Sequence, residues 1–276
     1  MDWKKRPGLH RPRAASRLRC VHARLLSHHG TARSATTAVA DLFVHECEHD
    51  QPRVAIPQPE VQLVVRLGSA ARDGLDVHAM GIHPQAHRKI IRGGQRTVFA
   101  RLHWNSCEAV LGMPASEVAG RIVAIEELWG VAASQRLLGR IAEARDTAGV
   151  ASVLEEAIAE RIARSDASSG ARAQLASSAM QRLGSGNLDG VAFDLGVSER
   201  HLRRVFRQAV GVSPKTFAKL TRFHHALAAA RNGGGAGWAD IAASAGYYDQ
   251  AHLIAEFRAI AGATPRALLA ELRAAG

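Results

Sequence analysis

Four arginines, Arg200, Arg203, Arg204 and Arg207, are spaced to share one side of a helix in SERHLRRVFRQAV. Leu202, Val205, Phe206 and Ala209 fall on the other side. A guanidinium can pair bidentately with guanine O6 and N7, or with a phosphate. The row therefore suits nucleic-acid recognition, with a solvated basic face as the plain alternative. A second stretch, DQAHLIAEFRAIAG, repeats the pattern with different side chains. Gln250 and His252 lie on the face that matches the arginine row, beside Ala251, Ile254 and Ala255. An amide such as Gln250 can pair with adenine. Arg207 and Arg258 lie one turn further on and suit phosphates, which position a protein on the duplex without reading it.

Other chemistry has weaker support. His45-Glu-Cys-Glu-His49 has the letters of H-E-x-x-H. That motif binds zinc on a helix, where residues i and i+4 share a face. Here Leu42-Phe-Val precedes it and Pro52 follows, so a strand end is expected. Residues four apart on a strand are separated by roughly 13 Å, which does not suit one metal. A regulatory metal would need His45, Cys47 or His49 together with His78, His83, His87 or His103. No metal site, catalytic residue or cofactor is expected. The chain has no G-x-S-x-G, Walker A or Rossmann glycine pattern. The Gly-rich run at 233–237 lacks the following Lys-Ser/Thr and is expected to be a loop.

The elements that must position these side chains follow from local signals. Val191, Ala192 and Leu195 lead into Gly196, which can take the left-handed turn that ends a helix. Ser198 is then an N-cap for the arginine helix. Two helices around a short turn with Gly, the second rich in Arg, form the helix-turn-helix pattern. The pattern occurs twice. Ile241-Ala242 and Gly246 match Val191-Ala192 and Gly196 at an offset of 50. Leu253, Phe257-Arg258, Gly262 and Thr264-Pro265 match Leu202, Phe206-Arg207, Gly211 and Ser213-Pro214 at an offset of 51. The extra residue falls in the turn. Residues 215–231 carry Phe217, Leu220, Phe223 and Leu227 as one stripe, a helix joining the units, and Asn232-Gly-Gly-Gly ends it.

The tandem arrangement resembles the DNA-binding domain of AraC/XylS-type transcriptional regulators over about residues 172–272. The most specific part is AGYYDQAHLIAEFRAIAGATPRALL. The resemblance implies a long connecting helix and two recognition helices entering the major groove on one face of double-stranded DNA. It places base-reading side chains at Arg200, Arg203 and Arg204. Relatives often carry Arg where this chain has Ala255, so an asymmetric reader is expected, with the first helix supplying most polar base contacts. PEVQLVVRL, VFARLHWNSCEAVLGMPASEV and the LWG segment resemble, more loosely, the sensor half of a subgroup of these regulators. The implied partners are DNA, an unknown small-molecule effector, RNA polymerase and a second copy of the chain. Trp104 and Trp129 are candidate effector aromatics, with simple core packing as the alternative.

The N-terminal half gives its own signals. Strands are expected at 41–47, 61–67, 77–82 and 97–104, punctuated by Pro and Gly, as in a small sandwich or barrel. Short helices at 106–111 and 116–120 and longer ones at 132–147 and 150–163 follow, then a helix at 171–183. The expected fold class is α+β: an N-terminal β-rich domain followed by helices, then an all-α domain with two helix-turn-helix units. The expected domains are a disordered basic extension at 1–35, a sensor domain at 36–165, a linker at 166–171 and a DNA-binding domain at 172–276.

Charge divides the same way. Of the net +11, residues 1–35 carry +8, 36–171 carry −3 and 172–276 carry +6. The extreme basicity thus comes largely from the extension, and the DNA reading rests on motif more than on charge. Three separated cysteines (Cys20, Cys47 and Cys107) argue against a disulfide framework and for the cytoplasm. No apolar run is long enough to span a membrane. Two rival readings stand beside it: an architectural DNA-binding protein without effector, and a DNA-repair alkyl-transferase, an enzyme whose clustered zinc cysteines this chain lacks.

Overall fold

The computed structural model describes residues 20–24, 38–68, 71–165, 168–183, 188–232 and 237–274. Its strands are β1 (Cys20–Arg24), β2 (Val39–Cys47), β3 (Gln51–Ala55), β4 (Gln62–Leu67), β5 (Leu75–Met80), β6 (His87–Ile91), β7 (Arg96–Leu102) and β8 (Ile122–Ala124). They form a six-stranded antiparallel sheet, ordered β1-β2-β7-β4-β5-β8, and a two-stranded ribbon, β3-β6.

Alternation sorts the large sheet into two faces. One carries Leu42, Val44, Leu63, Val65, Val77, Ala79, Val98, Ala100 and Val123, all buried. Against it pack α1 (Trp104–Leu111), α2 (Ile125–Trp129), α3 (Val131–Glu143) and α4 (Thr147–Ala163). The other face is polar in one row: the cross-strand register aligns His45, Thr97, Arg66 and Asp76. The ribbon lies on that side. Arg53 reaches His45 Nε2, and Gln51 Nε2 donates to Cys47 Sγ at 2.9 Å.

The described residues of the C-terminal region form helices joined by short turns. It comprises α5 (Ser168–Leu183), α6 (Leu188–Asp194), α7 (Glu199–Val210), α8 (Pro214–Asn232), α9 (Trp238–Ser244), α10 (Gln250–Ala261) and α11 (Pro265–Ala274). The chain is α+β, with β-sheets first and helices after. No described helix is long and apolar enough to cross a membrane.

Several expectations are corrected. Within the stretch 1–35, expected to be disordered, Cys20–Arg24 forms β1 and pairs with β2 from Cys20↔Cys47 to Arg24↔Phe43. An open sheet edge satisfies the backbone of even a basic segment. The rest of 1–35 lies outside the described residues. The helix expected from 171 begins at Ser168, inside the suggested linker. The strands β3 and β6 were not anticipated, because Pro52 and alternating charged residues mask their pattern. The boundary between α3 and α4 falls at 144–146. There Asp146 is the N-cap, accepting from Gly149 N at 2.8 Å. The loop after Asn232 lies, from 233 to 236, outside the described residues.

Candidate nucleic-acid interface

The two helix-turn-helix units have matching parts. α6 and α9 are each 7 residues long, and α7 and α10 each 12. Gly196 (φ +67°) and Gly246 (φ +79°) make the left-handed turn between them, as the offset repeat requires.

Ser198 caps α7, its hydroxyl accepting from His201 N at 3.2 Å. Leu202, Val205, Phe206, Ala209 and Val210 are buried. Phe206 meets Phe217 of α8 edge-on, with centroids 5.6 Å apart. Arg200, Arg203, Arg204 and Arg207 are all exposed on the opposite side. Arg203 pairs with Glu199 one turn earlier, and Arg204 Nη2 lies 3.2 Å from His201 Nδ1. These local contacts hold the Arg203 and Arg204 guanidiniums along the helix rather than folded onto the core.

In the second unit Asp249 takes the capping role, accepting from His252 N at 2.7 Å. Leu253, Phe257, Ile260 and Ala261 are buried; Phe257 packs on Phe223 of α8 with centroids 4.6 Å apart. Gln250, Ala251, His252, Ala255 and Arg258 are exposed. The structure thus puts the first-unit and second-unit candidates on two separate helices, each on the solvent side.

Two features were missed from sequence. Glu256 faces inward, where it pairs with Arg222 of α8 (Nη2 to Oε2, 3.0 Å) beneath the ring of Tyr247. Burial, then the Glu256 carboxylate, push the Tyr247 phenol upward. The signal was present: Glu256 follows Leu253 by three residues and so lies on the core stripe. Tyr248, next to the cap of α10, is 93% exposed, and Phe193 on α6 is 85% exposed.

The remaining candidates fall elsewhere. His45 lies on β2 and His49 just past its end, so the H-E-x-x-H letters are not on a helix. Among the described residues no group of three His, Cys, Asp or Glu is placed to hold a metal. Trp129 donates from Nε1 to Val110 O at 2.8 Å and lies under the Arg161 guanidinium. Trp104 packs against the same core. Cys107 is buried; its thiol is pushed up to about 12, first by burial and then by Glu60.

The arginine row also borders the N-terminal domain. Arg203, Arg204, Arg207 and Gln208 line a cleft of about 560 Å³ with Ser116 and Glu117. Ser116 and Glu117 belong to a 3-10 turn, Ala115–Glu117, that reaches α7 because Gly81 lets it lie on the sheet. A Cβ at Gly81 would stand 1.8 Å from Val118 O.

A family model described as a helix-turn-helix domain matches residues 191–271. This segment is a helix-turn-helix domain of the AraC type. It runs from within α6 to within α11 and includes both capped helices, α7 and α10. No curated protein matches the chain. Among solved structures, a DNA-binding transcriptional dual regulator from Escherichia coli K-12 is 21% identical over 37% of this chain and 92% of its own, with a TM-score of 0.30. ToxT from Vibrio cholerae strain SCE256, with unsaturated fatty acid bound, is 9% identical over 84% of this chain and 95% of its own, at 0.45. ToxT from Vibrio cholerae O395 is 8% identical over 81% and 98%, at 0.41.

Proposed function

We propose that the chain is a sequence-specific DNA-binding transcription regulator, with α7 and α10 as its two reading helices. The observation that carries this is the pair of equal, capped helices, each packed by a phenylalanine on α8 and each turning its polar face to solvent. Arg200, Arg203 and Arg204 read bases, with Arg the natural partner of guanine. Gln250 and His252 supply the fewer polar contacts of α10, whose Ala255 stands in register with Arg204. Arg207 and Arg258 hold phosphates. The N-terminal domain senses an effector. The polar sheet row under the ribbon (His45, Thr97, Arg66, Asp76) offers hydrogen-bonding groups where an all-apolar core would not. RNA polymerase and a second copy of the chain are the further partners of this reading, and the cytoplasm its place.

The enzyme reading is disfavoured by Cys107, whose buried, high-pKa thiol is a poor nucleophile. The architectural reading makes a different prediction about specificity, which one experiment separates. The purified chain, Arg203→Ala and Arg204→Ala are incubated with a pool of genomic DNA fragments at about 150 mM salt, where non-specific binding is weak. The regulator selects particular fragments, and the variants lose them. Binding without preference, unchanged in the variants, would leave the architectural reading standing instead.

A further inference from the structure

Both recognition helices end on the N-terminal domain. Gly211, the left-handed C-cap of α7, lies against the 3-10 turn; a Cβ there would stand 3.1 Å from Ala115 O. The end of α10 is held by donors from the segment before and within β6. Ala86 N donates to Ile260 O at 2.7 Å, and Gln85 Nε2 to Ala259 O at 3.5 Å. Arg88 Nη2 donates to Ala261 O at 3.0 Å. Arg88 also forks onto Glu271 of α11, Nε to Oε2 at 3.0 Å and Nη2 to Oε1 at 3.1 Å. The last carbonyls of a helix lack intrahelical partners and carry partial negative charge. Here the other domain supplies both the donors and the cation.

We propose that Arg88 is a positioning residue for DNA reading: through the carboxyl end of α10 it fixes the second reading helix relative to the first. The proposal rests on the reading above, that α7 and α10 both enter DNA. Within the C-terminal domain the two units are joined through α8. The N-terminal domain adds a separate bridge. It runs from Gly211 to the turn at Ala115, then from Gly120 N to Ile82 O at 3.0 Å, and on through the segment that ends at Arg88 and Ala261 O. Two reading helices on one face of DNA must meet major-groove sites roughly 34 Å apart, one helical turn. A bridge that holds both restricts how far their separation can vary before DNA arrives. It leaves Arg200, Arg203 and Gln250, toward the amino ends, exposed for reading. Linked sites gain affinity from geometry without new contacts, and lose it when the geometry loosens.

The test uses the full chain and the duplexes it selects from a random-sequence library. Affinity is measured for each selected duplex and for versions with either half randomised. Arg88→Gln binds the two-half duplex about tenfold more weakly, a fraction of the usual gain from linkage, and binds each single half as the parent does. Arg88→Lys falls between, keeping the charge but not the fork. Glu271→Gln loosens the clamp from the other side and moves affinity the same way by less. Equal losses on two-half and single-half duplexes would mark Arg88 as a stability residue only. No loss, or a gain, would overturn the proposal outright. A parent chain that selects no sequence at all takes down the functional reading itself, before any variant is compared.

Discussion

The inward-facing Glu256 gives the sharpest test of how the second unit is built. Its side chain is 7% exposed, whereas that of its partner Arg222 is 33% exposed. Breaking a fully buried ion pair from one side costs about 3–5 kcal/mol, because a charge is stranded. Exposed pairs contribute about 0–1 kcal/mol. Arg222 keeps water and the Tyr247 ring as company, so Glu256→Gln falls between, at about 2 kcal/mol. That loss is local to the packing of α8 on α10. Amide hydrogen exchange across α10 reads it directly, as protection reduced about 30-fold, the equivalent of that energy at about 1.4 kcal/mol per tenfold. Replacing both partners, Arg222→Met with Glu256→Met, removes the charge and its need together and restores protection to within about 1 kcal/mol of the parent. Unchanged exchange in Glu256→Gln would refute the reasoning. So would a double variant less protected than the single one.

Other outcomes follow from the same geometry. Arg207→Ala and Arg258→Ala should weaken DNA binding evenly across sequences, each reducing the slope of log affinity against log salt by about 1; a salt titration by fluorescence anisotropy reads this. Ser198→Ala should cost about 1 kcal/mol through loss of the α7 cap, visible as a lower urea midpoint at constant m. His78 and His224 are both held below the usual histidine value of 6.5, in each case first by burial. The unfolded chain therefore takes up protons first as pH falls. Stability is full above about pH 6.5 and is lost through the window down to the lowered folded values. A melting temperature flat above pH 7 and falling below about 6.5 is expected, with a shallower fall in His224→Gln. Cys107 should react with a thiol reagent in the folded chain only at the rate of unfolding, which stopped-flow labelling can check.

The two helix-turn-helix units were legible because their signals are local and repeated. Ser198 and the glycines at 196, 211, 246 and 262 mark ends, and the apolar stripes fix which side is buried. α8 came within a residue of its expected 215–231 at each end. The sheet was partly legible: β4 has a continuous apolar run and β7 an apolar alternation, whereas Arg53 and Lys89 hide β3 and β6 among charges. Three contacts between the N-terminal half and the C-terminal helices were not legible at all. Arg88 with Glu271, Ala86 with Ile260 and His224 with Pro57 join residues more than a hundred positions apart, and two of the three are made to backbone carbonyls, which carry no sequence signal. Glu256 was recoverable from its phase on the helix, but its partner Arg222 was not, since nothing in sequence says which face of α8 meets α10.

The unequal reading faces have a consequence for the DNA rather than for the protein. Beside the matched pair Arg207 and Arg258, α7 presents Arg200, Arg203 and Arg204, while α10 presents an amide, an imidazole and small apolar groups. With α7 and α10 reading DNA as proposed, mutations under α10 would forfeit little, and those under α7 a great deal. Over time a set of regulated promoters would keep one half of its site sharply defined and let the other half drift. New promoters could then be recruited by acquiring a single good half-site.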